Sequence, residues 1–158
     1  MNEGTSGTAS IRIAAPPEEV YDLVSDVTRM GEWSPECRRC EWADGATGPA
    51  VGARFRAVNQ TRVARWSNKP RIVTADVGRE FAFVAGTLGQ EYTRWTYKFE
   101  PADGGTQVTE SFEMLKDRPW YFALPTVVLM GITDRKANLE AGMAETLRRL
   151  KAAIEGTL

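Results

Sequence analysis

The stretch from Glu91 to Met114 limits most tightly what this chain can become. In Glu91-Tyr-Thr-Arg-Trp-Thr-Tyr-Lys-Phe-Glu100, the large groups Trp95, Tyr97 and Phe99 fall on odd positions and Arg94, Thr96 and Lys98 on even ones. A period of two marks a half-buried strand. Pro101-Ala-Asp-Gly-Gly105 supplies turn chemistry. Beyond it Thr106, Val108, Glu110, Phe112 and Met114 share one face, and Gln107, Thr109, Ser111 and Glu113 the other. The pattern predicts one hairpin whose two apolar rows meet. A register with Phe99 opposite Val108 also sets Tyr97 opposite Glu110, and Arg94 opposite Glu113 on the outer face. Slipping it by two residues sets Glu110 beside Trp95 instead. In either register a lone carboxylate stands in an aromatic row.

A chain of 158 residues is long enough for one sizeable core, or a core with a cavity in it. The expected organisation is a flexible tail over residues 1–7 and a single domain over 8–158. A formal charge of -1 gives no electrostatic case for nucleic acid. The start, Met1-Asn-Glu-Gly-Thr-Ser-Gly-Thr-Ala-Ser10, has neither the basic residues nor the apolar run of a secretory signal, so a cytoplasmic location is expected. The longest apolar run, Trp120 to Ile132, contains Pro125 and falls short of the about 20 residues a membrane span needs. No membrane span is expected.

Histidine is absent, which removes Ser-His-Asp and Cys-His mechanisms and histidine-ligated metals. Cys37-Arg-Arg-Cys40 has CxxC spacing but no second cysteine pair to complete a zinc site. In an extended segment its thiols should point to opposite faces, and both are expected to be reduced structural cysteines. No metal and no cofactor is implied.

Along the chain, Ile11-Arg-Ile-Ala14 predicts a first strand and Pro16-Pro17 a helix start, the helix running from about Pro17 to Val24 with Val20, Leu23 and Val24 buried. A second short helix, capped by Ser25 or Asp26, should end near Gly31. Strands are expected over 36–43, 52–60, 62–68, 71–77 and 80–85, separated by turn residues. From about Thr133 to Glu155 the period becomes helical, with Leu139, Met143, Leu147, Leu150 and Ile154 on one stripe. That stripe needs the concave face of the sheet as its partner.

A strand, two short helices, about six antiparallel strands and a long final helix is the order of an α+β helix-grip fold, in which a curved sheet of about seven strands wraps the C-terminal helix. Ala15-Pro-Pro-Glu-Glu-Val-Tyr-Asp-Leu-Val-Ser-Asp-Val27 with Glu32-Trp-Ser-Pro35, Val51-Gly-Ala-Arg-Phe55, Trp95 to Pro101 and Gly104 to Glu110 carry a more specific likeness. From about residue 8 to 155 the chain resembles the START/Bet v 1-like (SRPBCC) superfamily, and within it the bacterial polyketide cyclase/dehydrase and lipid-transport group. The resemblance implies a cavity between sheet and helix for a hydrophobic small molecule, polyketide-like, aromatic or acyl. It implies either cyclisation and dehydration by acid-base chemistry or a non-catalytic carrier or sensor of lipids or aromatic metabolites. Aromatase/cyclases of the group commonly use an inward arginine. Here Arg65 and Arg71 lie on the parity opposite Trp66 and Asn68.

Glu110 and Tyr97 form the candidate catalytic pair, since a carboxyl among aromatics has a raised pKa and can donate or accept a proton. The alternative is a Glu110 solvated at a cavity rim or bonded to a backbone group or an arginine. Asn59, Asn68 and Thr93 can orient a ligand carbonyl or serve local turns. Trp33, Phe55, Trp66, Phe81, Phe83, Trp95, Phe99, Phe112, Met114, Leu139 and Met143 are candidate ligand contacts that equally suit plain core. Tyr121, in the proline-bracketed Pro119-Trp-Tyr-Phe-Ala-Leu-Pro125, is a candidate lid residue. The same apolar stretch would suit a dimer contact or a partner protein, and the expected state is monomer or homodimer. Arg54, Arg56, Arg62 and Arg65 read as a solvated outer face or a surface for an acidic partner.

Overall fold

The alternating segments pair into a curved antiparallel sheet, and the amphipathic C-terminal segment folds as the helix it grips. The computed structural model describes residues 1–122, 124, 127–128 and 131–156. Its strands are β1 (Ser6–Ile13), β2 (Cys37–Ala43), β3 (Arg54–Gln60), β4 (Arg65–Asn68), β5 (Arg71–Asp76), β6 (Glu80–Thr87), β7 (Gln90–Ala102) and β8 (Gly105–Met114). Helix α1 spans Pro17–Ser25, a 3-10 turn Val27–Glu32, a second 3-10 turn Trp120–Phe122, and helix α2 Arg135–Glu155. Among the described residues the strands form one sheet in the order β1-β8-β7-β6-β5-β3-β2, with β4 paired to β3 beside this path. This is the α+β helix-grip architecture.

Each boundary has a local cause. Pro17 opens α1, with Glu18 and Glu19 in its first turn, where the helix dipole favours negative charge. Asp134 caps α2 by accepting the Ala137 N–H at 3.0 Å. Gly156, left-handed at φ 69°, ends it. Strand β3 starts at Arg54 rather than 52 because Ala53 N–H donates to Ala50 O, closing a turn over the preceding residues. A turn in which Thr61 N–H donates to Ala64 O shortens β4 to four residues.

The hairpin register is the first of the two weighed: Phe99 faces Val108, Tyr97 faces Glu110 and Arg94 faces Glu113. Two expectations need correction. The first strand begins at Ser6, and Gly4 N–H and Thr5 O already bond to Met114, so the stretch expected to fray is paired from Gly4 onward. Strand β8 runs to Met114 and its edge groups need partners, which residues 4–13 supply. The second correction concerns β2. An irregularity between Cys37 and Arg39 places both of these paired residues against Asn59 and Val58 with Arg38 as the extra residue. This bulge reverses the parity and brings both cysteines inside, where alternation predicted opposite faces.

Helix α2 packs mainly along β1, with a smaller contact to β8. Gly7 permits this approach: a Cβ there would sit 2.7 Å from Phe112 Cε1 and 2.8 Å from Glu140 Cγ. Leu139, Met143, Leu147 and Leu150 are buried on the helix stripe. The interior divides into two apolar groups. The larger gathers Tyr21, Phe55, Phe81, Phe83, Phe99 and Leu150 with their neighbours, and the smaller gathers Phe112, Leu139 and Met143. Half-buried Trp95 packs against both.

Candidate functional site

Strands β7 and β8 bring Tyr97 and Glu110 into direct contact. The two residues face each other in the ladder, so their side chains rise together from the inner face. Tyr97 Oη donates to Glu110 Oε1 at 2.8 Å. Ala9 of β1 stands on the other side of Glu110 and adds no polar group, while Val108 and Phe112, its neighbours on the same face, are buried. Glu110 is 4% exposed and Tyr97 6%. The carboxyl lies in the interior and not at a solvated rim, and it is bonded to the phenol and not to an arginine.

Burial in apolar surroundings pushes the Glu110 carboxyl up to about 8, against a smaller opposing effect of the Tyr97 hydrogen bond. Desolvation, and then the neighbouring Glu110 charge, hold the Tyr97 phenol well above its ordinary range. The pair therefore carries a neutral carboxylic acid at pH 7. Its second oxygen, Oε2, is buried without a hydrogen-bond partner among the described residues. Groups of this kind are uncommon in a native interior and mark a place where a further partner fits.

The remaining candidates fall into distinct places. Trp95 and Phe112, with ring centroids 5.7 Å apart, stand next to the pair along β7 and β8, and Leu139 and Met143 of α2 cover Phe112. Thr93 and Met114 sit further along the same strands, Thr93 Oγ1 donating to Met114 Sδ at 3.5 Å. Phe55, Phe81, Phe83 and Phe99 form an aromatic core with Tyr21, its contacts edge-to-face except the tilted Phe81–Phe83 pair. Trp33 is buried in this same larger group. Asn59 and Trp66 face each other across β3 and β4 and are half-buried. Asn68, also half-buried, carries a second unpartnered buried atom, Oδ1.

Tyr121 stands apart, being 54% exposed and packed against Trp120 and Phe122, the latter 6.0 Å from Tyr92. Arg71 is bonded to Glu91 on the outer face at 3.0 Å, and Arg65 is exposed, so neither reaches the interior. Alternation alone missed the meeting of Cys37 and Cys40, whose Sγ atoms lie 3.1 Å apart. Only the β2 bulge produces it, and Arg38-Arg39 carries no parity break that would signal one. Among the described residues no group of three or more His, Cys, Asp or Glu is placed to hold a metal. No described helix is long and apolar enough to cross a membrane.

A curved antiparallel sheet gripping a long C-terminal helix defines the helix-grip class. Within it, the chain belongs to the family described as polyketide cyclase / dehydrase and lipid transport, which it matches over residues 5–155. A polyketide-cyclase-like protein from Corynebacterium glutamicum is similar at 34% identity, with 98% of this chain and 94% of that one covered and a TM-score of 0.64. The di-domain ARO/CYC StfQ of the steffimycin biosynthetic pathway has a TM-score of 0.71 at 18% identity, covering 96% of this chain and 50% of that one. A protein from Chromobacterium violaceum has a TM-score of 0.69 at 17% identity, covering 95% and 96%. The last two likenesses are of fold. No curated protein matches the chain.

Proposed function

We propose that this protein binds a hydrophobic, carbonyl-bearing small molecule between sheet and C-terminal helix, and that Glu110 exchanges a proton with it in cyclase/dehydrase-like chemistry. The observation that carries this reading is the buried Glu110 carboxyl with Oε1 held by Tyr97 and Oε2 left without a partner among the described residues. Because Tyr97 donates to Oε1, the acidic proton of the neutral carboxyl belongs on Oε2. From there it can pass to a ligand carbonyl as an enol forms, or to a hydroxyl leaving as water. The carboxylate left behind is the base that recovers the proton from carbon in the complementary step. Trp95 and Phe112 would hold the apolar body of the ligand, and the open Asn68 Oδ1 would accept from a ligand hydroxyl.

A carrier or sensor without proton chemistry is the second reading. It is favoured by the position of Arg65 and Arg71, which leave the interior without the arginine common among aromatase/cyclases of this likeness.

Native mass spectrometry of freshly purified protein, with extraction and identification of any bound molecule, tests binding. The extracted molecule and its keto-chain precursors then serve as substrates. Turnover lowered about 100-fold or more in Glu110→Gln supports proton transfer, on the scale of a general acid-base contribution. Full turnover in that variant removes Glu110 from the chemistry, and stoichiometric fatty acid or phospholipid without turnover favours the carrier.

A further inference from the structure

The β2 bulge has a chemical result that the proposed function leaves unused. Across it, Cys37 faces Asn59 and Cys40 faces Ala57, two residues apart on β3. At the rise of a strand this sets the two cysteine Cα atoms about 6.6 Å apart, inside the span a disulfide can bridge. A regular strand would set residues three apart near 10 Å, beyond bridging. The Sγ atoms already lie 3.1 Å apart, in contact and unbonded. We infer that Cys37 and Cys40 form a peroxide-reactive dithiol that closes reversibly to an intramolecular disulfide.

The two thiols share one direct contact. In the Sγ–Sγ contact either thiol can donate, and the one S–H of Cys40 can also turn to Met30 Sδ at 3.9 Å. Either cysteine can therefore react first, the other resolving it, and with Cys37 first the chemistry runs through a sulfenic acid. The Cys37 sulfur attacks one oxygen of a hydroperoxide, the O–O bond breaks, and the departing oxygen leaves protonated as an alcohol or water. Cys37 becomes a sulfenic acid, oxidised by two electrons that reduce the peroxide. Cys40 then attacks this sulfur, the S–S bond forms, and the hydroxyl leaves with the Cys40 proton as water.

Burial sets the class of oxidant. Cys37 is 4% exposed and Cys40 2%, which excludes a bulky disulfide such as oxidised glutathione and limits the oxidant to a small hydroperoxide. The inference does not depend on Glu110 or on any ligand.

The test exposes folded wild-type protein to stoichiometric hydrogen peroxide, blocks remaining thiols under denaturing conditions and reads the mass of the Cys37–Cys40 peptide. Loss of two hydrogens, reversed by dithiothreitol, is expected, with oxidised glutathione slower by about tenfold or more. Cys40→Ser or Cys37→Ser, where it folds, should accumulate a dimedone-reactive sulfenic acid at the remaining cysteine, without the two-hydrogen loss. Thiols unchanged by peroxide, sulfinic acids without the two-hydrogen loss, or disulfides between molecules would overturn the inference. So would a stoichiometric metal released when the thiols are blocked, which would make Met30 Sδ, 3.9 Å from Cys40 Sγ, the third sulfur of a metal site.

Discussion

Glu110 binds its proton more tightly in the folded chain than in the unfolded one, and stability must follow. Its folded pKa is raised to about 8 from 4.5, so between these values the unfolded state has lost the proton and the native state keeps it. Stability therefore falls as pH rises through that window and levels off above it, by on the order of 4–5 kcal/mol. Glu110→Gln keeps the shape and a neutral group. Urea unfolding should find the variant close to wild type at pH 5 and clearly more stable at pH 9, with the downward slope between pH 5 and 8 flattened. Equal slopes in both proteins would place the ionisation elsewhere. Tyr97→Phe removes the one hydrogen bond that opposes the shift. The carboxyl stretch of Glu110 in infrared titration should then persist to higher pH than in wild type. The pairing of Tyr97 with Glu110 was legible in the sequence, because aromatic alternation and a Gly-rich turn set the register. Whether Glu110 was interior or at a rim was not, since that depends on Ala9 of β1 and on how closely α2 lies.

At the scale of elements, the close contact of α2 with the sheet depends on Gly7. An added Cβ meets the Phe112 ring edge, which cannot swing away as freely as the Glu140 side chain it also touches. Gly7→Ala should cost about 1–3 kcal/mol in chemical denaturation, the scale of overpacking a filled interior. Gly48→Ala, with no atom within 4 Å of the new Cβ, should stay within about 0.5 kcal/mol. If the two variants are equally stable, the helix has room that the packing denies. The helix stripe was readable from Leu139, Met143, Leu147 and Leu150 at helical spacing. Its seat along β1 was not, because Ser6 to Ser10 shows small and polar residues with no apolar row, and the segment becomes a strand through the edge of β8. The β2 bulge was hidden for the same kind of reason: the pairing with Asn59 and Val58 decides it, not the local pattern.

For the whole molecule, curvature brings residues from distant strands onto one inner face and presses α2 over it. The element order and the hairpin carried that architecture in the sequence. The division of the interior into two apolar groups, with the Tyr97–Glu110 pair on strands that serve both, emerges only from packing. A neutral carboxyl with one free oxygen is the central claim, and the site-resolved 13C titration of the Glu110 carboxyl tests it most directly. Run without ligand and again with the molecule recovered from the purified protein, it should give a midpoint near 8 in the first case and a displaced midpoint in the second. A midpoint in the ordinary carboxylate range, unmoved by ligand, would contradict both the buried acid and its part in binding.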